Sequence, residues 1–146
     1  MPILVVGLPS SGKTTLAHIL GGKILEFDSL AKKYHSYADL NEEKDVAFEM
    51  FKTLARVQQP RIIVDVFSSR QRRIEMLETL ESDTSIIIVD CPLNLCLMRN
   101  SARCGSLVTN DEIRHAYMTF EPVHIDEGYK SIHLWNSLIN RMTRIA

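Results

Sequence analysis

One octapeptide constrains this chain more than anything else in it. Gly7-Leu8-Pro9-Ser10-Ser11-Gly12-Lys13-Thr14 fits GxxxxGK[ST] in full. It follows a short β-branched apolar run at 3–6 and opens a stretch of helical spacing at 14–20, so strand, loop and helix come in the order the pattern needs. A loop of this kind turns successive backbone N–H groups around a polyphosphate. Glycine at 7 and 12 allows the required dihedrals, and the helix N-terminus adds positive potential. Leu8, Pro9, Ser10 and Ser11 complete the wrapping backbone. Lys13 can follow charge on the β- and γ-phosphates, Thr14 has a hydroxyl placed for Mg²⁺, and Thr15 is within range of the α-phosphate. ATP and Mg²⁺ are the expected ligands; the bland alternative is a Gly/Ser-rich turn that binds nothing.

The remaining segments alternate. Short apolar runs at 61–66 and 85–89, with weaker ones at 23–27 and 132–135, are separated by stretches of helical period. Helices are predicted over 41–58, 70–81, 92–102 and 110–120. In the first of these, Val46, Phe48, Phe51 and Leu54 define the apolar face. Thr109 and Glu112 form a capping box for the last, and Gly105 separates it from its predecessor. The pattern predicts an α/β fold in three layers, with a short, mostly parallel five-stranded sheet covered by helices.

With 146 residues, 45% of them hydrophobic and 24% charged, the chain suits a single domain over 1–146. Its 17 Lys plus Arg against 18 Asp plus Glu leave a net charge of −1, so any polyanionic partner has to be held locally. Cys91, Cys96 and Cys104 include no CxxC pair, and Cys91 and Cys96 fall on an apolar face with Leu93, Leu95 and Leu97, which implies reduced, buried thiols. The apolar start lacks a basic leader and stops at Gly7, too short for a membrane span. A cytoplasmic location is expected, that of the host if the chain is phage-encoded, with no membrane partner. The five histidines nowhere form a helical HExxH site.

The phosphate loop alone does not separate a kinase from a GTPase, a transporter or a motor. No NKxD, DxxG or LSGGQ-like signature is present, which favours a compact phosphotransferase. Such an enzyme needs a carboxylate near its acceptor hydroxyl, and Asp28 ends the predicted second strand; the same residue reads equally well as a helix N-cap. Transfer also needs cations over the moving phosphoryl group. Arg99 and Arg103 lie four apart before Gly105, in a 91–107 segment that holds two Arg and no Asp or Glu. Pairing with the helix C-terminal dipole is their plain alternative.

In Arg99-Asn100-Ser101-Ala102-Arg103, the phosphate loop and the Ile62-Ile63-Val64-Asp65 strand followed by Arg70-Gln71-Arg72-Arg73, the chain resembles the kinase domain of bacteriophage-type polynucleotide 5′-hydroxyl kinases, within the P-loop kinase superfamily. The resemblance implies that Asp28 is the general base toward a nucleic-acid hydroxyl and that Arg103, helped by Arg99, steadies the donor phosphates from a lid at about 99–109. It places Asp65 in the acceptor pocket; Asp65 also reads as a carboxylate reaching Mg²⁺ through water, or as a strand-end cap. Arg70, with Arg61, Arg72 and Arg73, makes a basic group suited to nucleic-acid phosphates or to a solvated helix.

Two departures stand out. The family's acceptor-binding arginine, three residues after the base, is here Ala31, so Lys32 becomes the nearest substitute; Cys104 is inserted after the lid arginine. The altered acceptor contact admits a hydroxymethyl group on a modified pyrimidine (5-hydroxymethyluracil type) in phage DNA as well as a 5′-hydroxyl end. The near-neutral charge admits a small-molecule hydroxyl, and a nucleotide-binding module without an acceptor stays open. The segment from Phe120 to Tyr129 is similar to the P-x-x-x-E-G-[FY] stretch of animal-type polynucleotide kinases and also reads as a turn into the last strand. Trp135 reads as strand core more readily than as a base-stacking platform, and Asn136 as a neighbour of adenine. Calorimetric titration of ATP should give heat that depends on Mg²⁺; no heat under either condition removes the phosphate-loop reading.

Overall fold

The computed structural model describes residues 1–31, 40–104 and 108–146, with side chains for all of these except 31 and 40–45. Lys32 and Gly105, singled out above, lie outside the described residues. The order is β1 (Ile3–Val6), α1 (Lys13–Leu20), β2 (Ile24–Glu26), α2 (Phe27–Ala31), α3 (Leu40–Gln58), β3 (Ile62–Val64), α4 (Arg70–Leu80), β4 (Ser85–Asp90), α5 (Leu93–Ala102), α6 (Asn110–Thr119), a 3₁₀ turn (Ile125–Glu127), β5 (Ile132–Asn136) and β6 (Arg141–Arg144).

The strands form one sheet in the order β2-β3-β1-β4-β5-β6, parallel except for β6, which runs antiparallel to β5. The expected count of five is therefore corrected to six. Arg141–Arg144 reads RMTR and is mostly exposed, so it carries no apolar alternation by which a strand could be recognised. Pairing with β5 across a short turn makes it a strand.

Side chains of the central strands alternate between two cores. Leu4 and Val6 of β1, Ile63 of β3 and Ile86 of β4 face one side with Phe48 and Phe51 of α3 and Met76 of α4. Val5, Ile62, Val64, Ile87 and Val89 face the other, against Leu16 and Ala17 of α1. Both faces being covered explains why these strands are continuous β-branched runs. The arrangement is the three-layer α/β fold expected.

Helix α3 corrects one expectation. Its buried stripe is Ala47, Phe48, Phe51 and Ala55, with Leu54 partly buried, whereas Val46 is 51% exposed. The aromatic residues set the phase: Phe51 stacks edge-on with Phe27 at 5.4 Å and tilts against Phe67 at 6.1 Å. A tertiary contact of that size outweighs the transfer of one valine from water. Elsewhere the helix boundaries agree to within a residue, and Thr109 caps α6 by accepting from the Glu112 amide at 3.1 Å. Pro92 is the residue before α5, not its first turn.

Phe51→Ala should cost about 3–5 kcal/mol of unfolding free energy, as for other buried aromatics. Val46→Lys should change stability by less than about 0.5 kcal/mol. Urea unfolding of the two variants tests the phase of α3 directly.

Candidate active site

The site forms where β1, β3 and β4 end and α1 begins. Gly7 leaves β1 so close to its neighbours that a Cβ there would lie 2.9 Å from Ser11 Oγ and 3.0 Å from the Val89 carbonyl oxygen. No larger residue fits without moving the backbone of β4. Gly12 precedes α1 with φ 103°, a left-handed conformation that favours glycine, and this turns the loop into the helix N-terminus. Inside the loop the side-chain oxygens of Ser10 and Ser11 are buried and have no hydrogen-bond partner. Buried hydroxyls are ordinarily satisfied. Two orphans in a loop that closes on a helix N-terminus fit a polyanion with many acceptor oxygens, and exposed Thr14 and Thr15 offer hydroxyls at the same helix start.

Lys13 is 7% exposed, and its Nζ donates to the Leu8 carbonyl oxygen at 2.8 Å. Burial lowers its pKa; the negative charges of Asp28 and Asp65 act against that, and Arg103 adds to the lowering. The structure thus brings Asp28, Asp65 and Arg103 within electrostatic reach of Lys13, and Asp28 within reach of Asp65. Asp28 is exposed and sits in the first turn of α2, so the helix that begins at Phe27 leaves it no role as the residue before that helix. Asp65, one residue beyond β3, is 8% exposed. Burial, with the like charge of Asp28 second, pushes its carboxyl up to about 6, against the Val66 amide and Lys13, which pull it down.

The two lid arginines behave differently. Arg99, in the last turn of α5, donates from Nη1 to the Ser11 carbonyl oxygen at 3.2 Å and to Cys91 Sγ at 3.6 Å, and so already touches the phosphate loop. Arg103 is exposed just past α5. Between them, buried Asn100 donates to the Val108 carbonyl oxygen at 2.9 Å and to Asn110 Oδ1 at 3.0 Å, tying the end of α5 to the start of α6. Asn100 is the structural member of the Arg99-Asn100-Ser101-Ala102-Arg103 motif. Cys91 and Cys96 are buried beside Ile113 and leucines 93, 95 and 97, as their spacing implied.

A cleft of about 190 Å³ lies against the loop. Ser10, Gly12 and Thr15 line one side and Arg99 and Arg103 another, while Trp135, Ser137 and Asn140 approach from the β5–β6 hairpin and Ile19 from α1. Sequence reasoning missed Ser137, Asn140 and Ile19 and favoured the strand core for Trp135. Trp135 is half-buried and packs on the α1-side core, but it also faces the cleft. Asn136 spends its side-chain oxygen on the Leu138 amide at 3.0 Å and shapes the hairpin turn. The available signal was positional: in open parallel sheets ligands collect beyond the carboxyl ends of the strands, and β5 ends there.

The basic group read from the sequence is dispersed. Arg61 donates to the Leu20 and Gly21 carbonyl oxygens, Arg72 lies 4.5 Å above the Phe48 ring, and Arg73 is fully buried against Glu127. Arg70 pairs with Asp126 at 3.3 Å and does not line the cleft. A continuous arginine surface for nucleic-acid phosphates is therefore not what these residues form.

Fold and loop together define a P-loop domain. Residues 3–123 match the AAA_33 family, described as an AAA domain, and the chain belongs to that family. Among solved structures it is similar to a sugar kinase from Janibacter sp. HTCC2649, with 19% identity, 93% of this chain and 84% of that one covered and a TM-score of 0.72. It is similar also to Kti12 of Chaetomium thermophilum in complex with ADP-AlF3, with 16% identity, coverage of 93% and 89% and a TM-score of 0.73. The Pnkp1/Rnl/Hen1 complex is a more partial likeness, at 20% identity, 75% of this chain, 41% of that one and a TM-score of 0.56. No curated protein matches the chain in sequence. At these identities the likenesses establish the fold alone. Among the described residues no helix is long and apolar enough to cross a membrane.

Asp65 supplies a stability test. A carboxyl raised from 3.8 to about 6 binds more protons in the folded than in the unfolded chain between those values, so its contribution opposes folding as pH rises through that window. Asp65→Asn should therefore stabilise the protein by roughly 3 kcal/mol at neutral pH, with the advantage vanishing below about pH 4. Paired thermal melts from pH 4 to 7.5 check this. A variant less stable than wild type at pH 7 makes Asp65 a satisfied structural group.

Proposed function

We propose that residues 1–146 are a single kinase domain that moves the γ-phosphoryl group of ATP onto a hydroxyl, with a polynucleotide 5′-hydroxyl as acceptor. The observation that carries this reading is the set of two carboxylates, Asp28 and Asp65, gathered around the buried Lys13 at the ends of parallel strands. A nucleotide-binding module with no acceptor needs one carboxylate at most to offset Lys13, and the second, buried Asp65, opposes folding at neutral pH. The lid motif and the 3–123 match agree with a kinase, and its lid resemblance points to the nucleic-acid acceptor.

In the proposed reaction the phosphate-loop amides and the Ser10 and Ser11 hydroxyls hold the donor, Lys13 offsets its charge, and Arg99 and Arg103 bound it from the lid. Trp135 and Asn140 lie along the cleft where the nucleoside end would rest. Mg²⁺, which the Thr14 hydroxyl is placed to hold, supplies neutralisation of the donor oxygens when bound. Exposed Asp28 is open to the acceptor and takes its proton as the new P–O bond forms and the bond from the γ-phosphorus to the bridging oxygen breaks, releasing ADP, while Asp65 accepts a hydrogen bond from the acceptor side and orients it. Arg70 and Lys32 belong to the acceptor side in this reading.

A second reading has a specific observation in its favour. With Arg61, Arg72 and Arg73 engaged internally and the net charge at −1, the surface offers little to a long polyanion, which suits a small-molecule hydroxyl or a hydroxymethyl group on a base. Radiolabelled γ-phosphate transfer separates these acceptors when offered a 5′-hydroxyl oligonucleotide, a hydroxymethyluracil-containing duplex and a panel of sugars. Label is expected on the 5′-hydroxyl oligonucleotide, and none there removes the first reading. Asp28→Asn and Arg103→Ala should each lower kcat by at least about 10²-fold with the fold intact. Wild-type turnover of Asp28→Asn removes the base assignment.

A further inference from the structure

Arg73 and Glu127 are charged, wholly buried and unused by the reaction proposed above. Arg73 Nε donates to Glu127 Oε1 at 2.8 Å and Nη2 to Oε2 at 3.2 Å; Nη1 donates to the Phe67 carbonyl oxygen at 2.7 Å, and Nη2 also to those of Glu121 and Pro122 at 2.9 and 3.1 Å. Glu127 further accepts from the His124 amide at 3.0 Å and the Tyr129 hydroxyl at 2.9 Å. Every charge is met, and the carboxylate is held below its usual range despite its burial, with the Arg73 bond foremost among the causes that lower it. A buried ion pair is nevertheless a poor way to gain stability, because apolar residues of the same volume commonly do as well or better.

What the pair does is local. Phe67 lies two residues beyond Asp65 and has φ 47°, a left-handed conformation unfavourable for an aromatic residue. On the phosphate-loop side the same segment is held by long bonds, from the Asp65 amide to the Val5 oxygen at 3.3 Å and from the Gly7 amide to the Val66 oxygen at 3.4 Å. On the other side Arg73 grips Phe67 at 2.7 Å, and the Glu121 amide grips the Ser68 oxygen at 2.8 Å. One short bond comes from Arg73 itself, and the other from Glu121, whose carbonyl oxygen Arg73 holds in turn.

We infer that Arg73 and Glu127 are positioning residues that clamp the exit of β3 in its left-handed turn and thereby fix Asp65 against the phosphate loop. The clamp rests on the reading of Asp65 as an acceptor-side carboxylate. It assigns the segment from Glu121 to Tyr129 to the site, although none of it lines the cleft. Displacement of a positioned group by about 1 Å is enough to cost around 10²-fold in rate.

The experiment replaces the pair by apolar residues, Arg73→Met with Glu127→Leu, and reads Glu127→Gln in parallel. Thermal melting, hydrogen exchange and steady-state transfer to a 5′-hydroxyl oligonucleotide are measured for each. The clamp predicts a folded protein in which exchange rises about tenfold or more at 65–69 and stays unchanged at 3–6 and 85–90. It predicts kcat at least about tenfold lower with KM for ATP within about twofold, because the phosphate loop is untouched. Unchanged exchange at 65–69, or raised exchange with unchanged kcat, overturns it. If the double variant does not fold, Glu127→Gln carries the same comparison, and a uniform rise in exchange across the sheet then marks the pair as structural only and overturns the clamp. Should wild type transfer nothing to the oligonucleotide, the proposed function fails, and the exchange pattern still decides whether the clamp exists.

Discussion

A lysine ammonium buried at the start of a helix meets the positive end of the helix dipole as well as the loss of water. Lys13 is in that position, and the fold answers with negative charge delivered by two separate strand ends, Asp28 after β2 and Asp65 after β3. The arrangement requires β3 to lie between β1 and β2, which the sheet order provides. It also leaves the carboxylates unequal. Asp28 stays exposed, while Asp65 is buried, and that burial raises its carboxyl to about 6.

The sheet around this cluster is economical in its demands. Central strands of three to six residues alternate strictly between two cores, and the loop after β1 can come within contact distance of β4 only because residue 7 has no side chain. Arg99 then reaches from α5 to the backbone of that loop, and Asn100 fastens α5 to α6, so the lid arginines are carried on a braced pair of helices rather than on free chain. One arginine is anchored and one is exposed. With that division Arg99 holds the backbone of the loop while Arg103 stays exposed past the end of α5.

Much of this was legible from residue types and spacing. The phosphate loop, the alternation of strands and helices and the Thr109 cap depend on local rules that tertiary contacts did not override. Val46 and β6 were misread for opposite reasons: the aromatic cluster of Phe27, Phe48, Phe51 and Phe67 rotates α3 by contacts invisible in its own sequence, and β6 is held by its neighbour with no apolar pattern of its own. Arg73 shows the deeper limit. In sequence it is one of three arginines within four residues, and nothing local distinguishes the one that enters the core from those that stay outside. Its partner is 54 residues away.

That distant partner gives the two buried charge clusters their contrast. Around Arg73, each donor and acceptor is matched, and the assembly is rigid and chemically silent. Around Lys13, burial opposes the charge, two serine hydroxyls have no partner, and a carboxyl is raised to about 6. The incomplete cluster is where a ligand with complementary charge gains most, since it supplies the bonds the protein leaves unmade. A cluster left incomplete keeps its geometry only if something complete stands behind it, and the backbone from Asp65 to Phe67 is the short path by which the satisfied pair supports the unsatisfied one.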